Sequence, residues 1–387
     1  MNLYGYKRED GSFGIRNHIL VIPASVCAAD TAEKIASQVD GAISIPNQHG
    51  CCQIGDDYHV TERTLVGYGK NPNVAAVLVV GLGCEGIQAR KLADLIKESK
   101  KPVEYIVIQE EEGTLKTISK GVKILREISE SVSAQKRVEF DVSHLIVGLE
   151  CGGSDPTSGI ASNPAIGVAS DKICQMGGST ILSETTEVIG AEHILEKRFL
   201  DEKEKEKFLK FVNDTEKRAL ILGEDLREGQ PTPGNKEGGL TTIEEKSLGC
   251  MHKAGSSPFV GALEYAERVH EDKRGLYFMD SPGQDIDSIT GMVASGAQII
   301  LFSTGRGTPT GNPIAPVIKI TGNPDTYRIM EDNIDMNMGK VISDGVSLEE
   351  MGNKLFDEIE KVSNGKKTKA EILGHREFGI FKVSGTF

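Results

Sequence analysis

The sequence predicts an α/β protein of two domains, each built around a parallel sheet. Continuously apolar strand candidates alternate with amphipathic helical patterns along the 387 residues. Strands that are apolar on both faces are typical of parallel sheets covered by helices. A chain of this length exceeds the usual size of a single core. A charged stretch at 129–140 separates the two alternating halves, which predicts domains at 1–132 and 133–387.

The elements follow one another in βαβ order. In the first half, the apolar runs predict strands at 18–25, 41–47, 74–83 and 104–110. Helical patterns lie at 28–38, 56–70, 86–100 and 111–134. In the second half, strands are predicted at 144–149, 179–184, 276–281, 297–304 and 315–322, with a charged helix at about 197–223. The polar, Gly/Pro-rich stretch 228–250 is long enough to be either functional or disordered.

Composition excludes several classes of protein. The formal net charge of −13 argues against nucleic-acid binding, which normally requires a basic surface. No apolar run approaches the length of a membrane span, and the first residues lack the apolar core of a secretory signal. Seven cysteines without a CxxC pair indicate a reduced, cytoplasmic protein without structural zinc.

Three Gly-Cys turns follow predicted strands. Cys51 lies in NQHGCCQIGDD, Cys84 in GLGCEG and Cys151 in GLECGGSD. Ligands of parallel sheets bind at the carboxyl ends of the strands, and thiolates favour soft or borderline metals such as Fe(II) and Zn(II). These three cysteines are therefore predicted metal ligands, whereas Cys52 and Cys250 are left undecided.

GLGCEG also matches the dinucleotide-binding pattern G-x-G-x-x-G. It follows an apolar strand and precedes a helix, and Glu110 ends the next strand, as in an NAD site. Against this alternative, the pattern normally follows the first strand of a domain, whereas here it follows the third. A Cys-Glu pair would also place negative charge beside the pyrophosphate.

Carboxylates and an anion-binding turn follow later strands. In SETTEVIGAEHI, Glu184 at the strand end is a candidate acid, base or metal ligand, while Glu187 and Glu192 fit a helix start equally well. The acids of MDSPGQDID either face the same crevice or only form turns: Asp280, Asp285 and Asp287. The glycine-rich turn in FSTGRGTPTGNP is predicted to bind a carboxylate or phosphate through backbone N–H groups and one guanidinium. Its candidate residues are Thr304, Gly305, Arg306, Gly307 and Asn312.

Long segments of the chain resemble the altronate/galactarate dehydratase family. They are GYKREDGSFGIRNHILVIP, HGC, NPNVAAVLVVGLGCE, ECGGSD, SETTE, TPGNKEGGLTTIEEKSLG and STGRGTPTGNPIAPVIKITGN, in order along essentially the whole sequence. The resemblance implies an iron-dependent lyase that removes water from a sugar acid, such as D-altronate or galactarate, to give a 2-keto-3-deoxy acid. It also implies a dimerising first domain and a second domain that is an unusual Rossmann-like variant with a metal site.

Two departures from the family pattern qualify this expectation. Many members begin with a small β-clip domain, so this chain is expected to be the large subunit of a split enzyme whose β-clip subunit is a separate polypeptide. Asn47 stands where the family often has histidine, so it is not taken as a ligand. The sulfolactate sulfo-lyase large subunits, which share the fold, are the alternative. They are expected to lack the HGC and GLGCE cysteines, whose presence here favours a dehydratase.

Dehydration of a 2,3-dihydroxy acid requires a base at C2 and stabilisation of the departing C3 hydroxyl. The hypothesis from the sequence is that Cys51, Cys84 and Cys151 converge with Glu150 and Asp155 around iron, either mononuclear or in a cluster. Lys246 is the first candidate base because a desolvated lysine can have a lowered pKa, and Glu184 is the second. Arg306, with Gly305 and Gly307, is expected to hold the substrate carboxylate beside Ser154. A non-catalytic binding subunit is a third interpretation and requires a disordered 228–250 stretch.

Overall fold

The computed structural model describes residues 1–229 and 231–384. Its strands are β1 (Leu3–Lys7), β2 (Phe13–Gly14), β3 (His18–Pro23), β4 (Ala42–Ser44), β5 (Val74–Gly81), β6 (Val103–Val107), β7 (Val138–Phe140), β8 (Ile146–Gly152), β9 (Ser179–Leu182), β10 (Phe259–Leu263), β11 (Leu276–Met279), β12 (Ile299–Thr304), β13 (Val317–Thr321) and β14 (Met336–Asn337). Its helices are α1 (Ala29–Ala36), α2 (Gly55–Lys70), α3 (Ala89–Lys97), α4 (Thr114–Ser133), α5 (Asn163–Gln175), α6 (Glu192–Leu195), α7 (Glu202–Ile221), α8 (Leu226–Gly229), α9 (Pro233–Glu237), α10 (Ile243–Cys250), α11 (Asp285–Ala294), α12 (Pro324–Ile329), α13 (Lys340–Ser343), α14 (Leu348–Ser363) and α15 (Lys369–Leu373).

A four-stranded parallel sheet organises the first half in the order β4-β3-β5-β6. Successive side chains of a strand point to opposite faces, so Ile19 and Val21 pack with α1 and α4, while Leu20 and Ile22 pack with α2 and α3. Both faces are therefore covered by helices, as the continuous apolar runs predicted. The predicted βαβ alternation is confirmed.

A seven-stranded parallel sheet organises the second half in the order β10-β11-β9-β8-β12-β13-β14. Helices α5 and α14 pack on one face of its central strands, and α11 packs on the other. The chain leaves β8 toward β9 on one side and returns to β12 on the other side. The carboxyl ends of β8 and β12 therefore flank the point where strand order reverses, which is where parallel sheets form a ligand crevice.

The first strand pairs with the second half of the chain. Strands β2, β1 and β7 form a small antiparallel sheet that the sequence did not predict. The N–H of Asn2 donates to Glu360 Oε1 on α14 at 2.7 Å. The amino-terminal segment thereby fixes α14 against the body of the protein.

Buried amides join the two parallel sheets. Asn71 Nδ2, after α2, donates to the carbonyl oxygens of Val293 and Ala297 at 2.8 and 2.9 Å. Gly67 on α2 lies so close to α11 that a Cβ there would be 2.4 Å from Ala294 O. These contacts hold α2 directly against α11. Among the described residues, no helix has the length and apolar character needed to cross a membrane.

Candidate active site

The carboxyl end of β8 opens into a polar cavity of about 180 Å³. Strand β8 supplies Cys151 and Gly152 and the turn supplies Gly153 and Ser154, while Glu187, Lys246 and Asp285 come from three other elements. The remaining wall is formed by Thr232, Gly234, Asn235, Gly283 and Arg306. The GLECGGSD turn, where the sequence predicted a ligand crevice, thus forms part of the wall of this cavity.

Gly152 explains why glycine follows the acid and the thiol in this turn. A Cβ on Gly152 would be 2.3 Å from Asp285 Oδ2, so only glycine lets the first residue of α11 approach the strand end. Burial and the negative charges of Glu184 and Glu187 raise the pKa of Asp285 to about 7. Asp285 therefore exchanges a proton near neutral pH, as a general base or acid must.

Behind this wall lies a fully buried pair of carboxyl groups, Glu150 and Glu184. Glu150 Oε2 accepts from Ser288 Oγ at 2.6 Å, while Oε1 of each glutamate has no donor among the described residues. Burial and the neighbouring Glu184 raise the pKa of Glu150 well above its ordinary value. A proton carried by Glu150 and shared with Glu184 supplies the missing donor.

Glu184 pairs with a buried ammonium and has a strained backbone conformation. Its Oε2 accepts from Lys253 Nζ at 3.0 Å and from the N–H of Cys151 at 3.0 Å. Its backbone φ is 70°, in the left-handed region that residues with a side chain rarely adopt, and its N–H donates to Ser281 Oγ at 2.8 Å. Strain of this kind persists where surrounding contacts fix it, often at functional sites.

A second cluster combines two thiols, a carboxylate and an ammonium. Cys151 Sγ lies 3.4 Å from Cys250 Sγ, and Cys250 Sγ lies 2.9 Å from Glu187 Oε2. Lys246 Nζ lies 2.5 Å from Glu187 Oε1. The hydrogen bond to Cys250, together with burial, raises the pKa of Cys151 well above its usual range. One atom each of Cys151, Glu187 and Cys250 lie within 4.8 Å of one another, as in a metal-binding group.

Lys246 is a cation in this environment and does not fit the predicted role of base. Burial lowers its pKa, but the adjacent Glu187 and Cys250 outweigh burial, so the net shift is upward. A raised lysine pKa favours the protonated form at neutral pH. Lys246 therefore brings positive charge to the cavity, and Asp285 is the better base.

Part of the polar stretch 228–250 folds over the cavity as α9 and α10. Asn235 Nδ2 donates to Ser154 O at 3.0 Å, which ties α9 to the turn after β8. Thr242 caps α10 by accepting from the N–H of Glu245, so that the helix carries Lys246 to the cavity. The described part of this stretch thus forms a wall of the site, as a functional loop would; Gln230 lies outside the described residues.

Arg306 of the predicted anion-binding turn lines the cavity, whereas Thr304 and Gly305 pack within the fold. Arg306 lines the cavity, and its Nη1 donates to Gly234 O at 2.8 Å and to Glu237 Oε2 at 3.0 Å. Thr304 Oγ1 accepts from the N–H of Gly307 at 2.9 Å, which closes the turn. Gly305 packs against Asp155, since a Cβ there would be 2.4 Å from the carboxyl carbon.

The side chains of Asp155 and Asn312 do not line this cavity and instead form hydrogen bonds within the fold. Asp155 Oδ1 accepts from the N–H of Ser158 at 3.0 Å, and Oδ2 accepts from Asn323 Nδ2 at 3.0 Å. Asn312 Nδ2 donates to Tyr68 Oη at 2.8 Å, and its Oδ1 accepts from two backbone N–H groups. Both side chains are occupied within the fold, which a sequence pattern does not reveal.

The expected convergence of three cysteines is not formed. Cys51 and Cys84 follow strands of the four-stranded sheet, whereas Cys151 lies at the carboxyl end of β8 in the other sheet. Cys84 is exposed and Cys51 partly exposed, while Cys151 is buried. Among the described residues, Cys151 groups with Cys250 and Glu187 instead. The prediction failed because it used strand ends without knowing which sheet each strand joins.

The backbone N–H groups of the GLGCEG turn already bind the glutamate of the same turn. Glu85 is buried, and its Oε2 accepts from the N–H groups of Leu82 and Gly83 at 3.0 and 2.5 Å. These are the backbone donors that would have to hold a pyrophosphate. The geometry therefore argues against the NAD-dependent alternative.

Sequence reasoning missed Lys253 and Ser288 and left Cys250 undecided. Cys250 is the last residue of α10, and Lys253 lies in the turn that follows. Both belong to the TIEEKSLGCMHKAG segment. A buried lysine is rare unless it is paired. No local pattern marks it here, because its partner Glu184 is far away in the sequence.

Comparisons with known proteins agree with the resemblance. The family model described as D-galactarate/altronate dehydratase, C-terminal, matches residues 142–386, and the model of the second domain of D-galactarate dehydratase/altronate hydrolase matches residues 5–133. The chain is 40% identical over 383 residues to the (2R)-sulfolactate sulfo-lyase subunit beta of Chromohalobacter salexigens, covering 98% of this chain and 97% of that protein.

Two dehydratases are similar over almost the whole chain. Identity is 35% over 393 residues to the altronate dehydratase of Bacillus subtilis, covering 99% of this chain and 78% of the relative. It is 33% over 400 residues to the galactarate dehydratase (L-threo-forming) of Escherichia coli, covering 97% and 76%. The chain therefore belongs to the D-galactarate/altronate dehydratase family and is a lyase.

Proposed function

We propose that the protein is a hydro-lyase that converts a sugar acid, such as D-altronate, to a 2-keto-3-deoxy acid. The observation that carries this proposal is the position of Asp285, whose pKa is about 7, in the same cavity as Lys246 and Arg306. Elimination from a hydroxy acid needs a base that is half ionised near neutral pH and cations that stabilise the anionic transition state. The relatives that are named dehydratases indicate that the leaving group is water.

In this mechanism, Asp285 takes the proton from C2 of the bound acid. The C2–H electron pair forms the C2=C3 bond as the C3–O bond breaks, the departing hydroxyl takes the proton back from the Asp285 carboxyl and leaves as water, and the resulting enol tautomerises to the 2-keto acid. Arg306 faces the substrate carboxylate, and Lys246 supplies positive charge beside the departing hydroxyl. Glu187 keeps Lys246 in place through their ion pair at 2.5 Å.

The donor set beside the cavity fits the iron that the family resemblance implies. Cys151, Cys250 and Glu187 would hold it, because two thiols and a carboxylate offer borderline donors within 4.8 Å of one another. A bound ferrous ion would act as a Lewis acid toward the carboxylate and hydroxyl oxygens of the substrate. Of the predicted ligands Cys51, Cys84 and Cys151, this proposal retains Cys151.

The experiment is anaerobic turnover of a panel of aldonic and aldaric acids with ferrous iron, read as 2-keto-3-deoxy product. Product from one acid supports the proposal, and activity lost in air should return with ferrous iron and thiol. Full activity after exhaustive chelation would refute the iron assignment. No product from any acid would refute the dehydratase assignment.

A sulfo-lyase is the second candidate, because the match to the sulfolactate sulfo-lyase subunit covers 97% of that relative at 40% identity. The same elimination with sulfite as the leaving group would convert sulfolactate to pyruvate. Including sulfolactate in the panel and assaying sulfite distinguishes the two candidates directly.

We also infer that the chain works with a separate small subunit and forms a homodimer. The relative's name, subunit beta, supports a second polypeptide, and the family resemblance supplies its expected β-clip fold and the dimer. Light scattering of the purified chain tests the dimer. Adding the small polypeptide to the turnover assay tests the need for it.

A further inference from the structure

Residues 378–384, which we call the strap, connect the two halves of the molecule. Asp57, on the first turn of α2, accepts from the N–H groups of Val383 and Ser384 at 2.7 and 2.8 Å and from Ser384 Oγ at 2.5 Å. Hydrogen bonds to an ionised carboxylate are stronger than those to a neutral acceptor, and Asp57 is only 2% exposed. One part of the strap is therefore fixed to the first half of the chain.

The strap is held by the motif NQHGCCQIGDD, whose residues do not line the catalytic cavity. Asp57 is the last residue of this motif. Burial lowers the pKa of His49, in the same motif, and the carbonyl group of Ile380 opposes that shift. A carbonyl oxygen acts in this direction when it accepts from the imidazole, so His49 lies beside the middle of the strap. The motif therefore contacts the strap at two positions.

In the second half of the chain, the strap contacts the start of α11. Gly379 packs so closely that a Cβ on it would be 2.5 Å from Asp287 Oδ1. The N–H of Gly379 donates to Thr290 Oγ1, one turn further along the helix, at 3.4 Å. Asp285 and Asp287 both belong to the first turn of α11. The strap therefore lies against the turn that carries the proposed base.

Tyr265 links the strap to the backbone of the same helical turn. Its Oη donates to Asp287 O at 2.7 Å and accepts from the N–H of Phe381 at 3.5 Å. The rings of Tyr265 and Phe381 pack with their centroids 5.7 Å apart. Because the shorter hydrogen bond goes to the main chain, it does not depend on the side chain of Asp287. A displacement of the strap would therefore displace the turn itself.

The position of this turn matters because Asp285 has little room at the strand end. A Cβ on Gly152 would be 2.3 Å from Asp285 Oδ2, so the carboxylate is already in close contact with β8. Proton transfer requires the reacting atoms to lie within about 3–3.5 Å, and a displacement of about 1 Å can cost about 100-fold in rate. Contacts that fix the turn therefore fix the distance between the base and C2 of the substrate.

We infer that the strap, through Asp57 and Tyr265, positions the first turn of α11 and thereby holds Asp285 where it takes the C2 proton. This inference rests on the proposed elimination and assigns a role to the NQHGCCQIGDD motif. Neither Asp57 nor Tyr265 lines the catalytic cavity, so both are positioning residues. Weakening the strap should lower kcat and leave KM nearly unchanged, because Lys246 and Arg306 remain in place to bind the substrate.

The test removes the polar links and keeps the packing. Tyr265→Phe deletes one hydroxyl, and Asp57→Asn keeps the shape of the side chain but removes its charge. Tyr277→Phe is the matched control, because Tyr277 is 0% exposed and its Oη donates to the carbonyl of Lys273, which belongs to neither the strap nor α11. Hydrogen–deuterium exchange of the full chain is measured at the start of α11. With ferrous iron and the small subunit present, kcat and KM are measured on the acid that turns over best.

We expect Tyr265→Phe and Asp57→Asn to speed exchange in peptides covering 285–291 and to lower kcat about tenfold or more, with KM within about twofold. Tyr277→Phe should show neither change. Unchanged exchange at α11 in Tyr265→Phe, an equal loss of kcat in Tyr277→Phe, or a rise in KM with kcat unchanged would overturn the inference. Absence of turnover with every acid, sulfolactate included, would refute the proposed function, whereas the exchange data would still decide whether the strap fixes α11.

Discussion

The carboxyl ends of the two parallel sheets carry similar sequence signals in opposite environments. At the four-stranded sheet, Cys52 and Cys84 are exposed, and Glu85 turns inward to bind its own loop. At the seven-stranded sheet, Cys151 and Cys250 are buried beside carboxylates and two ammonium groups. Both sheets have glycine, cysteine and glutamate at or just after the end of a strand, but among the described residues titratable groups cluster in a covered cavity only at the seven-stranded sheet.

The difference lies in what covers each strand end. Helices α9 and α10 cover the end of β8, and burial raises the pKa values of Asp285 and Glu150 there. Desolvation of this kind is what adapts ordinary side chains to acid–base chemistry. A Gly-Cys turn therefore marks only the end of a strand, and the covering segment determines whether its side chains are buried.

The largest effect is expected from Asp285→Asn. Loss of the base should lower kcat/KM about 10²–10⁴-fold. Burial, Glu184 and Glu187 raise the pKa of Asp285 and Lys246 opposes them, giving about 7. The base form is populated above that value, so kcat/KM of the unaltered enzyme should rise with pH up to about 7 and then level off. A pH–rate profile of both proteins measures this limb.

Asp287→Asn is the matched control. Asp287 lies on the same first turn of α11, but its Oδ1 faces Gly379 of the carboxyl-terminal segment. This variant should keep the kcat/KM of the unaltered enzyme and its rise with pH up to about 7. If Asp285→Asn retained the ascending limb, the base would have to be another group.

A smaller effect, on stability, is expected from Lys253→Met. The ammonium of Lys253 is the buried cation on Glu184, at 3.0 Å with both side chains 0% exposed. Removing one partner of a buried pair should cost about 3–5 kcal/mol of unfolding free energy. The stranded carboxylate raises its own pKa and is neutralised in acid, so the loss should be larger at pH 8 than at pH 5. Urea unfolding at both pH values measures it.

The double variant Lys253→Met/Glu184→Gln provides the control. With no buried charge left, part of the lost stability should return and the pH dependence should disappear. Equal losses in the single and double variants would show that Lys253 contributes packing rather than charge pairing.

Serine substitutions compare the two sets of cysteines directly. Cys151→Ser with Cys250→Ser should weaken ferrous iron binding on the order of 100-fold, since thiolate ligands hold the metal. Cys51→Ser with Cys84→Ser should leave it unchanged. Iron retention after dialysis against a graded chelator measures both. Iron loss in both double variants would support the grouping of Cys51, Cys84 and Cys151 that the sequence suggested.

The sequence was sufficient to predict much of the local structure. Apolar runs identified β3, β5, β8 and β12 because a strand buried on both faces needs apolar residues throughout. Glycines at the end of β8 marked the turn, because a side chain on Gly152 would collide with Asp285. These features depend on neighbours within a few residues, so they can be read from the chain alone.

Contacts between residues that are distant in the chain could not be predicted from the sequence. Assigning Cys51 and Cys84 to the site of Cys151 required knowing that the strands form two sheets. Lys246 was predicted as a base, but its pKa depends on Glu187, which is distant in sequence and only 2.5 Å away in space. Strand β1 was missed because its partner β7 lies beyond the predicted domain boundary. In each case tertiary contact decided the outcome.

The smallest effect is expected at the rim of the cavity, from Arg306→Lys. The Arg306 side chain is 47% exposed and its Nη1 is already bound to Glu237, so water screens it more than the groups behind β8. Lysine keeps the charge but cannot form the two parallel hydrogen bonds of a guanidinium to a carboxylate. KM should therefore rise several-fold, roughly 1 kcal/mol, with little change in kcat. Glu237→Gln removes the carboxylate charge that competes for Arg306 and should lower KM if Arg306 binds the substrate. An unchanged KM in both variants would remove Arg306 from the substrate site and leave carboxylate binding to Lys246.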